Sequence, residues 1–373
     1  MVIREVHTTR DKDRFIKLPW KIYRNDRNWV PPLLLERRDL LNQSTNPFFA
    51  HARMKLFLAA GETGAVLGRI AAVVNTSHIQ THNEKAGFFG LFESIDDPAV
   101  ANGLFSAAAT FLRAEGMEIM RGPENLSVND DIGLLVEGFD TPPMIMMPHN
   151  PPYYERLVEG FGCRKAMDLF AYHCDIREAA IAEGLQRGAE VMKRRRKNFT
   201  IRSLRMRDFA AELKKIHSIY TAAWEENWGA VPMTPAEFNH LAKALKMVID
   251  PDLCLIAEVN GEPAGFSLAL PDFNQVLRRL NGRLLPLGLP KLLYYRRRID
   301  ALRVITMGVI KKFRGQGIDG CFYYESYLRA KAKGLWHAEM SWILENNVPM
   351  NRILQRIGFR LYKKYRLYDF PLM

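Results

Sequence analysis

The sequence predicts an α/β protein with mixed sheets (α+β), built as two tandem copies of one unit. The chain has 373 residues, about twice the size of an ordinary domain. Strand-like apolar runs alternate with helical runs along its length. Residues of the first half also recur in the second half at an offset of 196 to 199 positions. Together these three observations favour a duplicated αβ domain.

The duplication is visible as short matches that follow the same order in both halves. They pair Arg10-Asp11 with Arg207-Asp208, Tyr23 with Tyr220, Asn28-Trp29 with Asn227-Trp228, Gly68 with Gly265, Gly162 with Gly358, and Tyr172 with Tyr368. One match is expected by chance, but an ordered series indicates a repeat. We therefore predict domains at 1–180 and 200–373, joined by a linker at about 181–199 that contains the basic run 193–197.

The clearest elements lie in the second half. The runs Leu253–Asn260, Gly265–Leu270 and Arg303–Ile310 are apolar, partly β-branched and bounded by turn residues, which predicts strands. The run Gly320–Lys333 has helical character and is followed by Gly334, so it predicts a helix that ends there. In each copy we expect a strand, one or more helices, two or three strands, and then helix, strand, helix and strand.

A glycine-containing turn, Arg314–Ile318, separates the third of these strands from the helix. Gly315 and Gly317 leave backbone N–H groups uncovered at the positive end of the helix, which suits a pyrophosphate. The spacing is not that of a Walker loop. Together with Gly320 the two glycines fit the pattern Gly-x-Gly-x-x-Gly, but too little chain follows for a Rossmann fold.

This turn resembles the acyl-CoA pyrophosphate loop of the GNAT (Gcn5-related) N-acyltransferase superfamily. A second run, Ser341–Asn347 followed by Gly358-Phe359, is similar to the last motif of that superfamily. The resemblance implies a GNAT-like fold in both copies and acyl-CoA as co-substrate, with no metal. It also implies a set of CoA-contacting residues: Met307, Gly308, Val309, Arg314, Gly315, Gln316, Gly317, Ile318 and Asn347, with Asn346 as the rival of Asn347.

The first copy has a different loop at the equivalent place. After the strand-like run Gly87–Phe92, the segment Glu93–Pro98 contains no glycine and three acidic residues. Because carboxylates repel a pyrophosphate, we expect the second copy to bind CoA and the first copy not to bind it.

Attack of an amine on a thioester requires a polarised carbonyl and a base for the amine proton. The backbone N–H groups of Met307–Val309 are the candidates for polarising the carbonyl. Glu345 is the first candidate base, although a surface or ion-paired role fits it as well. Glu225, Glu226 and His217 are the alternatives.

The thiolate that leaves is protonated in many GNAT proteins by a tyrosine that precedes the final Gly-Phe. This chain has Leu354 there. Tyr324 is therefore a candidate acid, with Tyr323 and Tyr365 as rivals, and departure of the thiolate without protonation is the remaining alternative.

Composition limits the cellular setting. The net charge is +12, no apolar run is long enough to span a membrane, and the four cysteines lack metal-ligand spacing. These features predict a cytoplasmic protein.

The run Leu277–Arg298 interleaves leucines and tyrosines with seven basic residues and no acid. It predicts peripheral contact with an anionic membrane, an entrance for an acyl chain, or a helical hairpin with a basic outer face. Nucleic acid is not an expected partner, because no nucleic-acid motif accompanies the charge.

Most of the chain also resembles a bacterial group of two-domain GNAT-like proteins, through runs such as Gly122–Asn125, Met147–Tyr154 and Trp224–Gly229. The group includes ceramide-synthase-type enzymes, which acylate the amine of a sphingoid base. The resemblance implies an N-acyltransferase that uses a long-chain acyl-CoA and a primary amine. In its most specific form, it implies that the amine is a sphingoid base and that the product is a (dihydro)ceramide. Three alternatives stay open: a Fem-type aminoacyl-tRNA-dependent transferase, a GNAT acetyltransferase for a small amine, and a non-catalytic acyl-CoA sensor.

Overall fold

The computed structural model describes residues 1–178, 181, 183–187, 190, 199–224 and 228–372. The predicted basic run at 193–197 lies outside them. The chain divides into two compact units. The first unit consists of Met1–Leu169, Leu277–Leu292 and Lys363–Met373, and the second consists of Phe170–Val276 and Leu293–Tyr362.

A mixed sheet forms the first unit. Its strands are β1 (Val2–Glu5), β2 (Ala52–Ala60), β3 (Val66–Asn75), β4 (Ala86–Ser94), β5 (Ile119–Gly122), β6 (Leu134–Glu137) and the last strand of the chain, β13 (Arg360–Pro371). The order is β1-β2-β3-β4-β5-β13, and β6 also pairs with β13. β4 and β5 run parallel, and their neighbours pair antiparallel.

Six helices lie within the Met1–Leu169 part of the first unit: α1 (Thr9–Lys17), α2 (Pro19–Ile22), α3 (Leu34–Leu40), α4 (Thr76–His82), α5 (Pro98–Ala114) and α6 (Tyr153–Gly160). The central helix is α5, whose apolar residues recur at helical spacing. Val100, Leu104, Phe105, Ala108 and Leu112 are buried in the core formed with β2, β3 and β4. A stripe with this period is what lets a helix cover one face of a sheet.

The strands of the second unit also combine parallel and antiparallel pairs. These strands are β7 (Arg164–Asp175, from Phe170 on), β8 (Phe199–Ser203), β9 (Cys254–Val259), β10 (Glu262–Pro271), β11 (Ala301–Val309) and β12 (His337–Leu344). The order is β7-β12-β11-β10-β9-β8. β11 and β12 are parallel, whereas the pairs β8–β9, β9–β10 and β10–β11 are antiparallel. The three strands predicted in this half are confirmed. Five of their six ends agree with the prediction to within two residues, and β10 begins three residues before the predicted Gly265.

The later helices, in chain order, are α7 (Phe209–Trp224), α8 (Pro235–Leu245), α9 (Asn274–Leu280), α10 (Gly288–Tyr295), α11 (Ile318–Ala332) and α12 (Val348–Ile357). The predicted helix at 320–333 is α11, and Gly334 after it has a φ of 72°, as expected of a helix-ending glycine. Ile318 and Phe322 of α11 are buried in a core with Leu255 and Ala264.

Two glycines at equivalent positions make the same close approach in both units, which explains why the repeat retains them. A Cβ on Gly68 would lie 2.9 Å from the carbonyl oxygen of Glu93 and 2.7 Å from Leu104 of α5. A Cβ on Gly265 would lie 2.7 Å from the carbonyl oxygen of Gly308 and 3.2 Å from Phe322 of α11. In each unit only glycine lets the strand pass this close to its neighbour and to the covering helix.

The repeats exchange their last strands. Lys363–Met373, from the end of the second repeat, belongs to the first unit, and β7 belongs to the second unit from Phe170 on. Gly162 and Gly358, which precede the two strands, have φ values of 105° and 106°. The predicted duplicated α/β fold is thus confirmed. The domain boundaries at 1–180 and 200–373 concern the extent of the repeats and stay a prediction.

Candidate active site

The candidate site lies where two parallel strands of the second unit separate. The register between β11 and β12 covers four residue pairs and ends at Val304 and Met340. The strands themselves continue to Val309 and Leu344. β11 has a bulge at this point, because Leu268 and Ala269 of β10 pair with Thr306 and Val304, which makes Ile305 the extra residue. Bulges bend a strand. The carboxyl ends of β11 and β12 therefore open into a gap, at the edge of the sheet where α/β proteins bind ligands.

Two backbone N–H groups of β11 point into this gap. Ile310 N donates to Ala264 O of β10 at 2.9 Å. Because the direction of backbone groups alternates along an antiparallel strand, Gly308 also points toward β10. Met307 and Val309 then point to the opposite side, which is the gap. Of the three residues predicted to polarise a carbonyl, two present their N–H groups where a ligand could reach them.

The loop after β11 leads into α11 without a side-chain cap. Gly315 and Gly317 have φ values of 75° and 77°, a left-handed conformation that glycine adopts at little cost. Gly317 is the N-cap residue, and it has no side chain that could cap the first turn of α11. The N–H groups of that turn can therefore bind an anion.

The side chains of this loop divide into an anchored part and an open part. Ile318 packs with Phe313 in the core under the loop, while Arg314 and Gln316 are exposed. A Cβ on Gly315 would meet no atom within 4 Å, so the outer side of the loop is open.

Arg314 is held in place by backbone carbonyls. Its Nε donates to Val309 O at 3.2 Å, and its Nη2 donates to Ala223 O of α7 at 3.1 Å. These two bonds fix the guanidinium group beside the loop. The positive charge thus stays next to the amino end of α11. A phosphate bound there would be stabilised by both the guanidinium group and the helix amino terminus.

The loop after β12 is held by a residue that the sequence analysis missed, Asn351 of α12. Its Nδ2 donates to the carbonyl oxygens of Leu344 and Asn347 at 3.0 Å each. Its Oδ1 accepts from Tyr172 Oη at 2.8 Å. Asn347 caps α12 by accepting from Met350 N at 3.3 Å. The only sequence signal for Asn351 is its place one helical turn after Asn347.

A buried ion pair lies where the strands begin to separate, and the sequence analysis gave it no role. Arg303 and Glu339 are opposite each other in the register, both are 0% exposed, and Nε lies 3.4 Å from Oε1. Arg303 Nε also donates to Ser341 Oγ at 2.6 Å, and Tyr362 Oη donates to Glu339. Trp342, with a φ of 57°, departs from strand geometry, and its ring lies 4.4 Å from the guanidinium. Because breaking such a buried pair costs about 3–5 kcal/mol, it fixes the register at the base of the gap.

The equivalent place in the first unit is filled by the chain itself. After β5, Glu124 N donates to Phe89 O of β4 at 2.8 Å, and Asn125 Oδ1 accepts from Leu91 N at 2.7 Å. A Cβ on Gly90 would lie 1.7 Å from Glu124 O. The segment after β5 thus binds β4 where β12 leaves β11.

The helix that follows β4 already has an internal carboxylate at its amino end. Asp97 caps α5 by accepting from Ala99 N at 2.8 Å. Glu93 lies in β4 and not in the loop where the sequence placed it. It is buried and accepts from Tyr23 Oη at 2.9 Å and from Tyr154 Oη at 2.7 Å, and burial raises the pKa of its carboxyl group.

Comparison with known proteins identifies the family. A scan against protein-family models finds no match. The chain is 42% identical over 378 residues to a protein named bacterial ceramide synthase from Caulobacter vibrioides, covering 98% of this chain and 96% of that protein. It is 36% identical to protein YghO of Escherichia coli, covering 99% of this chain and 95% of that protein.

Solved structures show the same architecture. A tandem GNAT protein from the clavulanic acid biosynthesis pathway matches with a TM-score of 0.58 at 10% identity, covering 100% of this chain and 98% of that one. A GCN5-related N-acetyltransferase from Sphaerobacter thermophilus matches with a TM-score of 0.52 at 13% identity, covering 100% and 95%. This chain has the fold of a tandem GNAT protein. It belongs to one family with the bacterial ceramide synthase.

The candidate bases of this chain occupy different places. Glu345 is half-buried in the loop between β12 and α12, at the edge of the gap. His217 lies on α7, and its Nε2 is 3.0 Å from Met233 O, so that nitrogen carries the proton and donates it. Glu225 and Glu226 lie outside the described residues. In the described part of the chain, no cluster of three His, Cys, Asp or Glu side chains could hold a metal ion.

The residues that could protonate the thiolate also lie in different places. Leu354 is fully buried in α12, so no hydroxyl is present at the usual position. Tyr323 of α11 reaches the first turn of α12, with Oη 2.9 Å from Met350 Sδ, and burial raises its pKa. Tyr324, the predicted acid, has its ring 6.4 Å from that of Tyr327. Tyr365 belongs to the first unit.

Proposed function

We propose that the second unit of this tandem GNAT protein transfers an acyl group from acyl-CoA to a primary amine. The observation that carries the proposal is the uncapped amino end of α11 beside a gap with inward N–H groups. The corresponding place in the first unit is occupied by Asp97 and by the segment after β5. We accordingly propose that only the second unit uses CoA.

Every predicted CoA residue except Gly308, whose N–H group points toward β10, has a part in this proposal. The first turn of α11, the Gly315–Ile318 backbone and the Arg314 guanidinium bind the pyrophosphate, with Gln316 at the rim. Asn347 donates to the pantetheine arm through its Nδ2, because its Oδ1 caps α12. The N–H groups of Met307 and Val309 stabilise the negative charge that develops on the thioester oxygen. When bound, acyl-CoA supplies the activated acyl group.

We propose Glu345 as the base that takes the amine proton, with Glu225 as the alternative. His217 is the weaker candidate, because its Nε2 donates to Met233 O. For the thiolate we propose Tyr323 ahead of Tyr324, because its hydroxyl lies at the first turn of α12. A thiol has an ordinary pKa of about 8.5, so departure without protonation needs little assistance.

The acceptor that we propose is a long-chain amine of the sphingoid type, with a long-chain acyl-CoA as donor. The support is the name of the Caulobacter relative, which shares 42% identity over nearly the full length of both chains. A ceramide-type amide would be the product.

Incubation with acyl-CoAs of graded length tests the proposal. A thiol reagent reports CoA release, and mass spectrometry identifies the amide. We expect release only when a long-chain amine is present, with little release for a short-chain amine of the same headgroup. Equal turnover of both amines would contradict the lipid acceptor and leave a small-amine acetyltransferase.

Binding measurements on the same samples separate the remaining alternatives. Acyl-CoA that binds without any acceptor-dependent release would indicate a sensor. Absence of acyl-CoA binding would contradict the whole proposal and favour a transferase that takes its acyl group from aminoacyl-tRNA.

A further inference from the structure

The exposed large apolar side chains of this protein are concentrated in one short segment. Five of them lie within ten residues: Leu285, Leu287, Leu289, Leu293 and Tyr294, with exposed fractions of 77%, 67%, 51%, 52% and 56%. Apolar groups exposed singly are ordinary, but a contiguous set marks a surface that binds something.

The segment is folded against the chain at its base. Trp20 Nε1 donates to Asn281 Oδ1 at 2.9 Å, and Leu34 N donates to Gly282 O at 3.0 Å. Gly282 has a φ of 78°, and a Cβ there would lie 2.5 Å from the Trp20 ring. This fit fixes the start of the segment, so the leucines that follow are presented by an ordered turn and by α10.

Basic side chains surround the apolar ones. The run from Arg278 to Arg298 contains seven basic residues and no acidic residue: Arg278, Arg279, Arg283, Lys291, Arg296, Arg297 and Arg298. All seven are exposed. Their charge of +7 compares with +12 for the whole chain of 373 residues, so more than half of the net charge is concentrated in this run.

We propose that the segment 278–298, which we call the basic arm, docks on the surface of an anionic lipid bilayer. Its leucines enter the boundary between headgroups and acyl chains, and its arginines and lysine bind lipid phosphates. A second copy of this chain is a poor occupant because two arms of charge +7 would repel each other. A nucleic acid would satisfy the charge and leave the leucines in water.

The mode of attachment follows from the size of the helices. In the described part of the chain, no helix is long and apolar enough to cross a membrane. The arm's own helix, α10, has 8 residues. The arm therefore lies on the bilayer surface. This proposal does not depend on the acyltransferase proposal, since it concerns binding to lipid and not turnover.

Sedimentation of the full chain with vesicles tests the proposal. We expect binding to phosphatidylcholine vesicles that contain about one third phosphatidylglycerol, weak binding to pure phosphatidylcholine, and loss of binding as salt is raised. The variant Arg278→Gln/Arg283→Gln/Lys291→Gln should bind the anionic vesicles about tenfold more weakly or worse. Its matched control, Arg207→Gln/Lys214→Gln/Lys243→Gln, removes three exposed charges elsewhere and should bind as the parent does.

A second pair of variants tests the apolar contribution. Leu285→Ser/Leu287→Ser should also bind about tenfold more weakly. The control Leu35→Ser/Met247→Ser changes side chains that are 68% and 78% exposed and should bind normally. All four side chains are in water, so circular dichroism should report a folded protein for both variants.

Three results would overturn the proposal. The first is equal binding of the arm variants and their controls to anionic vesicles. The second is retention on a single-stranded oligonucleotide that depends on the three basic residues, together with no vesicle binding. The third is a dimer in sedimentation velocity that Leu285→Ser/Leu287→Ser dissociates, again with no vesicle binding.

Discussion

Arg314 and Asn351 each hold one of the two loops at the edge of the gap in place. Each binds backbone carbonyl groups: Arg314 those of Val309 and Ala223, and Asn351 those of Leu344 and Asn347. Backbone bonds of this kind fix a loop regardless of the side chains around it. The two loops are therefore held in shape before a ligand arrives, which lowers the entropic cost of binding.

Arg314→Glu should raise the KM for acyl-CoA about tenfold to a hundredfold. The change removes a charge-assisted contact worth about 1.5–3 kcal/mol and adds repulsion at the amino end of α11. The control Lys331→Glu alters the net charge equally at the far end of the same helix and should leave KM unchanged. Steady-state kinetics at several acyl-CoA concentrations measures both. An unchanged KM in Arg314→Glu would remove the loop from the CoA site.

Glu345→Gln should lower kcat by about a hundredfold or more, the usual size of a general-base effect. The loss should be largest at low pH, because the amine is then protonated and hydroxide is scarce. Profiles of kcat against pH measure this. Glu325→Gln, which breaks an ion pair with Arg329 on α11, serves as control and should retain the parent profile. Full activity of Glu345→Gln at every pH would exclude Glu345 as the base.

At the scale of elements, the two units differ in how one helix begins. α5 starts with a proline after a capping aspartate, whereas α11 starts after Gly317 with no side-chain cap. An internal carboxylate satisfies the N–H groups that a phosphate would otherwise bind. In α5 the side chain of Asp97 thus occupies the capping position that Gly317 leaves without a side chain in α11.

Gly315→Ala and Gly334→Ala form a matched pair on the two sides of α11. Both glycines have left-handed backbone, with φ values of 75° and 72°, and a Cβ on either would find open space or a contact no closer than 4.0 Å. Each change should lower stability by about 1–2 kcal/mol through backbone strain alone. Only Gly315→Ala should also raise the KM for acyl-CoA. Thermal unfolding and kinetics on both variants test this, and a similar KM in both would show that the loop conformation is irrelevant to binding.

The sequence predicts an element well when the interactions that determine it are close together in the sequence, and poorly when they are distant. The limits of β9 and α11 follow to within two residues from short apolar runs and flanking glycines. β10 begins at Glu262, three residues before the predicted Gly265. The predicted position of Glu93 in a loop was wrong. The hydroxyl groups of Tyr23 and Tyr154, which hold Glu93 inside β4, come from residues 70 and 61 positions away in the sequence. Asn351 was missed for the same reason, since its partner Tyr172 is 179 positions distant.

At the scale of the whole molecule, the duplication extends to individual side-chain contacts. Tyr172 of β7 donates to Asn351 of α12, and Tyr368 of β13 lies 3.3 Å from Glu159 of α6. Each tyrosine comes from the strand that its repeat contributes to the other unit. The same contact therefore ties an exchanged strand to the last helix of each unit, although only one of these helices borders the gap.

Tyr172→Phe and Tyr368→Phe should separate stability from activity. Each removes one hydroxyl from a buried tyrosine and should lower stability by about 1 kcal/mol, with a smaller loss at Tyr368 because Glu159 is partly in water. Tyr172→Phe also frees Asn351 Oδ1, which loosens the loop that carries Glu345 and Asn347. We expect kcat/KM to fall about threefold to tenfold in Tyr172→Phe and to stay at the parent value in Tyr368→Phe, measured at a temperature where both remain folded. Equal kinetic losses would mean that both units contribute to catalysis, and they would contradict the assignment of the site to the second unit alone.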